Sequence, residues 1–293
     1  MKEKIVAFHD KYYKFLLAIP ISFLLFSFIY IGFFYYKNND IMYKDISLTG
    51  GTSAIIYEKI NSNELKQFLF DKLEDVSIKE ISDLVTQEQK AVIIETRSSA
   101  EETKDVLEEY LGHKLTEENS SFEFTGSSLS ESFYKQLLLA MVFAFVFMAI
   151  VIFIMFRIFV PSAAVVLSAF ADILMTLVAV NLFGMKISTA GIVAFLMLIG
   201  YSVDTDILLT NRVLKRKEGS LNHKIFGAFK TGMTMTLTAI AAVGVALFIV
   251  KSFSVVLTQI FSILIIGLLF DILNTWVTNV SIIKWYVEEK EKK

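Results

Sequence analysis

The sequence predicts an α-helical membrane protein. Six transmembrane helices are expected, with one extracytoplasmic α+β domain of ferredoxin-like type between the first and the second. Three observations carry that expectation. Hydrophobic residues make up 55% and aromatic residues 14% of the 293 positions, and the mean hydropathy is +0.58, which few soluble domains approach. Six apolar runs each reach the roughly 20 residues that cross a hydrocarbon core of about 30 Å as a helix. Between the first two runs lies a stretch of mixed polarity in which strand-like and helix-like patterns alternate.

In chain order the runs are Phe15 to Tyr36, Leu137 to Phe156, Phe159 to Phe183, Ile187 to Leu209, Thr231 to Val250 and Phe253 to Ile283. The first is too long for a signal-peptide core, and "FFYYKNND" follows it where a small-residue cleavage site would stand, so it reads as a retained span. Its aromatic end, Tyr30 and Phe33 to Tyr36, suits a wet-to-oily boundary. With the N-terminus inside, the inner segments hold Lys2, Lys4, Lys11 and Lys14, then Arg157, then Arg212, Lys215, Arg216, Lys217 and Lys224, then Lys284 and a Lys-containing tail. The opposite short loops hold only Lys186 and Lys251, so both termini are expected in the cytoplasm of a cell membrane. Three parts follow: residues 1–36, the cytoplasmic N-terminus and first helix; 37–135, the outer domain; and 136–293, a five-helix bundle.

In the outer segment "TSAIIYE" reads as a strand and "NSNELKQFLFDKLE" as a helix with Asn and Ser near its start. "VSIKEISDL" and "KAVIIETR" read as two more strands. "SSAEETKDVLEEYLGHKL" is a second helix: Ser99 and Glu102 have capping-box spacing, and Val106, Leu107, Tyr110 and Leu111 form one face. "SSFEFTG" supplies the last strand, giving the order β-α-β-β-α-β of a split βαβ domain. No P-loop, GxSxG elbow or HExxH helix occurs, so docking rather than catalysis is expected of it.

The chain has no Cys, which excludes disulfides, thiol chemistry and Cys-based metal sites. His9, His113 and His223 all fall outside the apolar runs and form no relay within them. No cofactor, metal or nucleic-acid partner is expected, and no enzyme activity.

Polar residues inside the runs are the informative ones, because a carboxylate near the bilayer centre costs at least about 2.5 kcal/mol unless paired, hydrated or protonated. Asp172 lies midway along the third run. Asp204 and Asp206 lie toward the inner end of the fourth, and Asp271 lies in the sixth with Thr275 and Thr278 on the same helical face. On the fifth, Lys230, Thr234 and Thr238 repeat every four residues. Residues two apart on a helix point about 200° apart, so Asp204 and Asp206 meet different surroundings. Asp206 and Lys230 can also be read as interfacial groups that reach the headgroups, the Thr stripe as helix packing, and Gly191, Gly200, Gly232, Gly244 and Gly267 as close helix contacts. Acids converging from several spans make proton handling the default physical hypothesis.

At these residues the chain resembles a known family. "IGYSVDTDILLTNRVLKRK", "KTGMTMTLTAI", "FVPSAAVVLSAFADI" and the outer "LTGGTSAII" are similar to the SecF branch of the SecD/SecF protein-export membrane proteins, in archaeal wording. The resemblance covers essentially the whole chain, and the arrangement is shared with the resistance-nodulation-division transporter superfamily. It implies a part in export of unfolded polypeptides emerging from the Sec translocation channel, with SecD and the lipid bilayer as partners, powered by proton movement that moves the outer domain.

Carried over by position, the bacterial pattern "GYSLND" would place its acid at Thr205, and Asp204 and Asp206 flank that position. The SecD pattern "VDAN" matches Asp204, which ranks Asp204 first as proton carrier. Lys230 and Thr231 stand where bacteria have Arg and Thr, making Lys230 the expected counter-charge, with Asp172 and Asp271 shaping the path. Where the family often reads "GIDFTGG" this chain has "DISLTGG", with Asp45 and Ser47 changed; Ser47 receives no role, and Gly50 and Gly51 are expected to make a tight turn into the first strand. Gly200 is carried over as part of the fourth-span motif. Two rivals stand beside this reading. An intramembrane aspartyl protease lacks its GxGD signature here. A non-conducting scaffold for SecD and the channel is the alternative, and a small-molecule exporter would need a much longer chain.

Overall fold

A computed structural model describes residues 12–83, 85–215 and 219–292. Of the residues read above, Lys2, Lys4, His9, Lys11, Leu84, Arg216 and Lys217 lie outside the described residues. Six helices are long and apolar enough to cross a membrane: Tyr12–Asn38, Ser127–Phe156, Phe159–Leu182, Thr189–Lys215, Leu221–Val250 and Val255–Glu291. The regular part of the first is α1 (Ala18–Asn38), and a short α2 (Ile46–Thr49) follows it.

The segment after α2 folds as β1 (Gly51–Ile56), α3 (Ser62–Phe70), β2 (Ser77–Ser82), β3 (Gln89–Thr96), α4 (Ala100–Leu111) and β4 (Ser120–Thr125). All pairings are antiparallel, in the sheet order β2-β3-β1-β4. One face of the sheet buries Ala54, Ile56, Val92 and Ile94 against Leu65 and Leu69 of α3 and Leu107 of α4, with Val106, Tyr110 and Leu111 packed around them. The strands alternate because neighbouring side chains leave opposite faces; the helices present their 3.6-residue stripe. Ser99 caps α4 by accepting the N–H of Glu102 at 3.2 Å, and Asn61 caps α3 by accepting that of Asn63 at 3.1 Å. The helix expected over residues 61–74 stops at Phe70, because the chain turns at Asp75, whose φ is 52°.

Gly50 and Gly51 do make the tight entry to β1, with φ of 83° and 142°. A side chain at Gly51 would run into the carbonyl of Thr96, so the backbones meet there.

The remaining helices are α5 (Ser127–Phe156), α6 (Phe159–Leu182), α7 (Thr189–Lys215), α8 (Leu221–Val250), α9 (Val255–Leu273) and α10 (Val280–Glu291). A π-helical turn, Asn274–Asn279, joins the last two without a break in the sixth span. The expected boundary at 135/136 falls inside α5, which starts at Ser127 and carries its polar first turns above the apolar run.

Within the bundle the third and fourth spans are central. In their apolar windows 61% and 56% of residues are buried, against 11%, 6% and 11% in the first, second and fifth. The sheet domain is fastened to the spans at their outer loops. Asp45 N–H donates to the Ile187 carbonyl at 3.0 Å, Ile187 N–H to the Tyr43 carbonyl at 2.7 Å, and Ser82 N–H to the Ser252 carbonyl at 2.7 Å. Lys186 pairs with Asp75 at 2.6 Å, and Asp75 also meets Arg97 at 3.3 Å.

Candidate functional site

The two helices richest in buried residues carry the polar centre. Asp172 on α6, Asp206 on α7 and Asp271 on α9 are each fully buried. Three spans thus bring one carboxyl apiece into a single cluster, close enough that Asp206 and Asp271 each feel the charge of Asp172 and Asp271 also that of Asp206. Asp172 accepts from Ser202 Oγ at 2.5 Å and from Asn274 Nδ2 at 2.7 Å, one donor on each oxygen. Asp206 Oδ1 accepts from Asn279 Nδ2 at 2.7 Å, and Asp271 Oδ1 from Thr275 Oγ1 at 3.0 Å. Their Oδ2 atoms, with Ser168 Oγ and Asn279 Oδ1, are buried without a hydrogen-bond partner. Such atoms are uncommon in native interiors and mark a place where a proton or water completes the set.

Among the described residues no salt bridge reaches any of the three acids. The cations nearby are spent elsewhere: Arg212 Nη1 donates to the Gly227 carbonyl and, at 3.1 Å, to Thr231 Oγ1. Lys284 is buried, with its ammonium 3.3 Å from Asn222 Oδ1 and 4.8 Å from the centre of the Tyr13 ring. Carboxyls gathered without a cation cannot all be ionised at once, since like charges at close range disfavour each other.

The structure therefore groups Asp172, Asp206 and Asp271 and leaves Asp204 and Lys230 apart. Both of the latter are exposed on the outer side of this chain's own bundle, on α7 and α8. The geometry inverts the ranking that put Asp204 first: the half-turn between the two acids sends Asp206 inward toward α6 and α9 and Asp204 outward. Lys230 makes no ion pair with either acid among the described residues, and the Thr234 and Thr238 hydroxyls bond back along their own helix to the carbonyls of Lys230 and Thr234. Gly191, Gly232 and Gly267 are close helix contacts, against Gln259, Trp276 and Leu198, whereas Gly200 and Gly244 face open space within this chain.

Sequence reasoning missed Asn274, Asn279 and Ser202. The signal available was two amides inside an otherwise apolar span, where every polar group needs a partner. Ser47, given no role, accepts the N–H of Thr189 at 3.0 Å and so caps α7.

Six apolar helices around a buried carboxyl cluster, with a small antiparallel sheet in a loop, define a multi-pass membrane protein. Residues 105–289 match the family described as "Protein export membrane protein SecD/SecF, C-terminal". Protein-export membrane protein SecF of Methanocaldococcus jannaschii is 40% identical over 288 residues, covering 97% of this chain and 99% of that protein. SecF of Methanothermobacter thermautotrophicus is 38% identical over 284 residues, 95% and 94% of the two chains, and SecF of Pyrococcus furiosus is 34% identical over 262 residues, 88% and 86%. The chain belongs to the SecD/SecF family of protein-export membrane proteins. Its fold is that of part of SecDF, a translocon-associated membrane protein from Thermus thermophilus, with a TM-score of 0.71 at 16% identity; the match covers 94% of this chain and 38% of that one.

Proposed function

We propose that this chain is the SecF subunit of the Sec protein translocase. It assists export of unfolded polypeptides across the cytoplasmic membrane together with SecD, and draws on the proton gradient. The observation that carries the proton-coupled reading is the buried cluster of Asp172, Asp206 and Asp271, contributed by three spans and supplied with amide and hydroxyl donors but no facing cation. Such a set takes up and passes on protons, because the number of charges it tolerates is smaller than its number of carboxyls. Asp206 is the carrier in this reading. It sits on the same inner half of the fourth span as the family's acid, and one of its oxygens is free.

Asp204 and Lys230, exposed on α7 and α8, belong to the surface that meets SecD, since charged groups on a membrane span need a polar neighbour. The sheet of order β2-β3-β1-β4 is a ferredoxin-like domain of residues 37–135 outside the cytoplasm, both termini lie inside, and the domain moves as protons pass. The chain has no catalytic role of its own.

Proton flux in vesicles containing the chain with SecD, under an imposed pH gradient, tests the reading. Flux and gradient-dependent export are expected in the native chain and lost in Asp206→Asn. Intact export without any flux would leave the chain a scaffold for SecD and the channel, and would end the proton-coupled reading.

A further inference from the structure

The two asparagines of the π turn differ in a way that the three acids do not explain. Residues five apart on an α-helix point about 140° apart. The i→i+5 winding of a π turn brings such residues toward one side, and turns of this kind occur often at functional sites. Asn274 and Asn279 are five apart, both fully buried, and both donate into the acid cluster at 2.7 Å, to Asp172 and Asp206.

Asn274 is locked. Its Oδ1 accepts from Thr278 Oγ1 at 3.2 Å, and its Nδ2 also faces Met175 Sδ at 3.5 Å, so turning the amide over would break the Thr278 bond. Its partner Asp172 has a donor on each oxygen. Asn279 is not locked: its Oδ1 is buried without a partner, and so is Oδ2 of the Asp206 it binds. An amide carries a donor end and an acceptor end. With Nδ2 toward Asp206 it serves the carboxylate; turned over, its Oδ1 accepts the O–H of the carboxylic acid, and nothing is lost on the other side.

We propose that Asn279 is the positioning residue for Asp206, an amide that reverses to match either protonation state, while Asn274 holds Asp172 in one state. This rests on the proton-coupled reading above for its purpose, though not for its geometry. The charged groups facing Asp206 are Asp172 from α6 and Asp271 from α9. Those of the other packed elements point away. Asp204 and Lys230 face outward, Arg212 is held at Gly227 and Thr231, Lys284 lies by Asn222 and Tyr13, and Glu131 pairs with Lys135 on α5.

The test is infrared titration of protonated carboxyl bands in the full chain reconstituted in bilayers, with the Asp206 band assigned by its loss in Asp206→Asn. Asn279→Leu, similar in size with neither donor nor acceptor, is expected to move the midpoint of that band by about one pH unit, tenfold in proton affinity. Asn279→Gln, which keeps the amide, is expected to bring it back to within about threefold of the native value. A midpoint in Asn279→Leu within about 0.3 unit of native overturns the proposal, and so does a native spectrum from which Asp206→Asn removes no band. If Asp206→Asn leaves gradient-driven export intact, the coupling reading falls, while the midpoint still decides the role of Asn279.

Discussion

Ser47 Oγ accepts the backbone N–H of Thr189 at 3.0 Å, so a residue in the linker to the sheet caps a membrane span 142 positions later. The first N–H groups of a helix have no partner within it, and a side-chain oxygen that satisfies one is worth about 0.5–2 kcal/mol. Ser47→Ala is expected to lower stability by about that amount, with Ser47→Thr near native. Denaturant titration of the purified chain in detergent measures it.

Lys186 and Asp75 join the loop after the third span to the sheet domain at 2.6 Å, yet their side chains are 32% and 37% exposed. Exposed pairs contribute at most about 1 kcal/mol. Lys186→Ala is therefore expected to leave the unfolding midpoint almost unmoved. A cost much above about 1 kcal/mol would mean that the contact acts as more than a surface pair.

A methyl group at Gly232 on α8 would strike the Trp276 ring of the π turn and the methyl of Thr205. Overpacking of this kind costs about 1–3 kcal/mol. Gly232→Ala is expected to destabilise the chain in that range and to disturb the adjacent Asn279–Asp206 bond. Gly244→Ala on the same helix has open space and is expected to be neutral. Paired melting curves of the two variants make the comparison.

Asp83, in the turn after β2, has its carboxyl held well below the usual range, first by the Lys90 ammonium and then by the backbone N–H groups of Thr86 and Val85. A carboxyl more acidic in the folded than in the unfolded chain gives stability that is whole above its unfolded value, near pH 4, and lost as pH falls below it. The difference in melting temperature between the native chain and Asp83→Asn is expected to be constant from about pH 8 to 5 and to shrink below about pH 4.

The six spans and the alternating pattern of the outer segment could be read from the sequence because apolar length and period are local properties, as was the Ser99 cap three residues before Glu102. Asp172 and Asp271 were found because a carboxyl in an apolar run is conspicuous. The choice between Asp204 and Asp206 was not legible. Helical period fixes the angle between them, but which side of α7 meets α6 and α9 depends on close approaches such as Leu198 against Gly267. The pairing of Asn274 and Asn279 was hidden for a related reason: a π turn changes the angular step, so a search at 3.6 residues per turn separates two side chains that the fold brings together. The cap by Ser47 joins positions too far apart in sequence for any local pattern to connect.

The strand edge at Ser82 is tied to Ser252, between the fifth and sixth spans, while Asp45, Ser47 and Asp75 are tied to Ile187, Thr189 and Lys186, ahead of the fourth. A domain hung only by its two linkers could swivel like a gate without disturbing what lies beneath it. Moored at two separate loops, the sheet works instead as a crossbar: tilting it pulls on the outer ends of spans whose middles carry Asp206 and Asp271, and a shift of those spans tilts it in return.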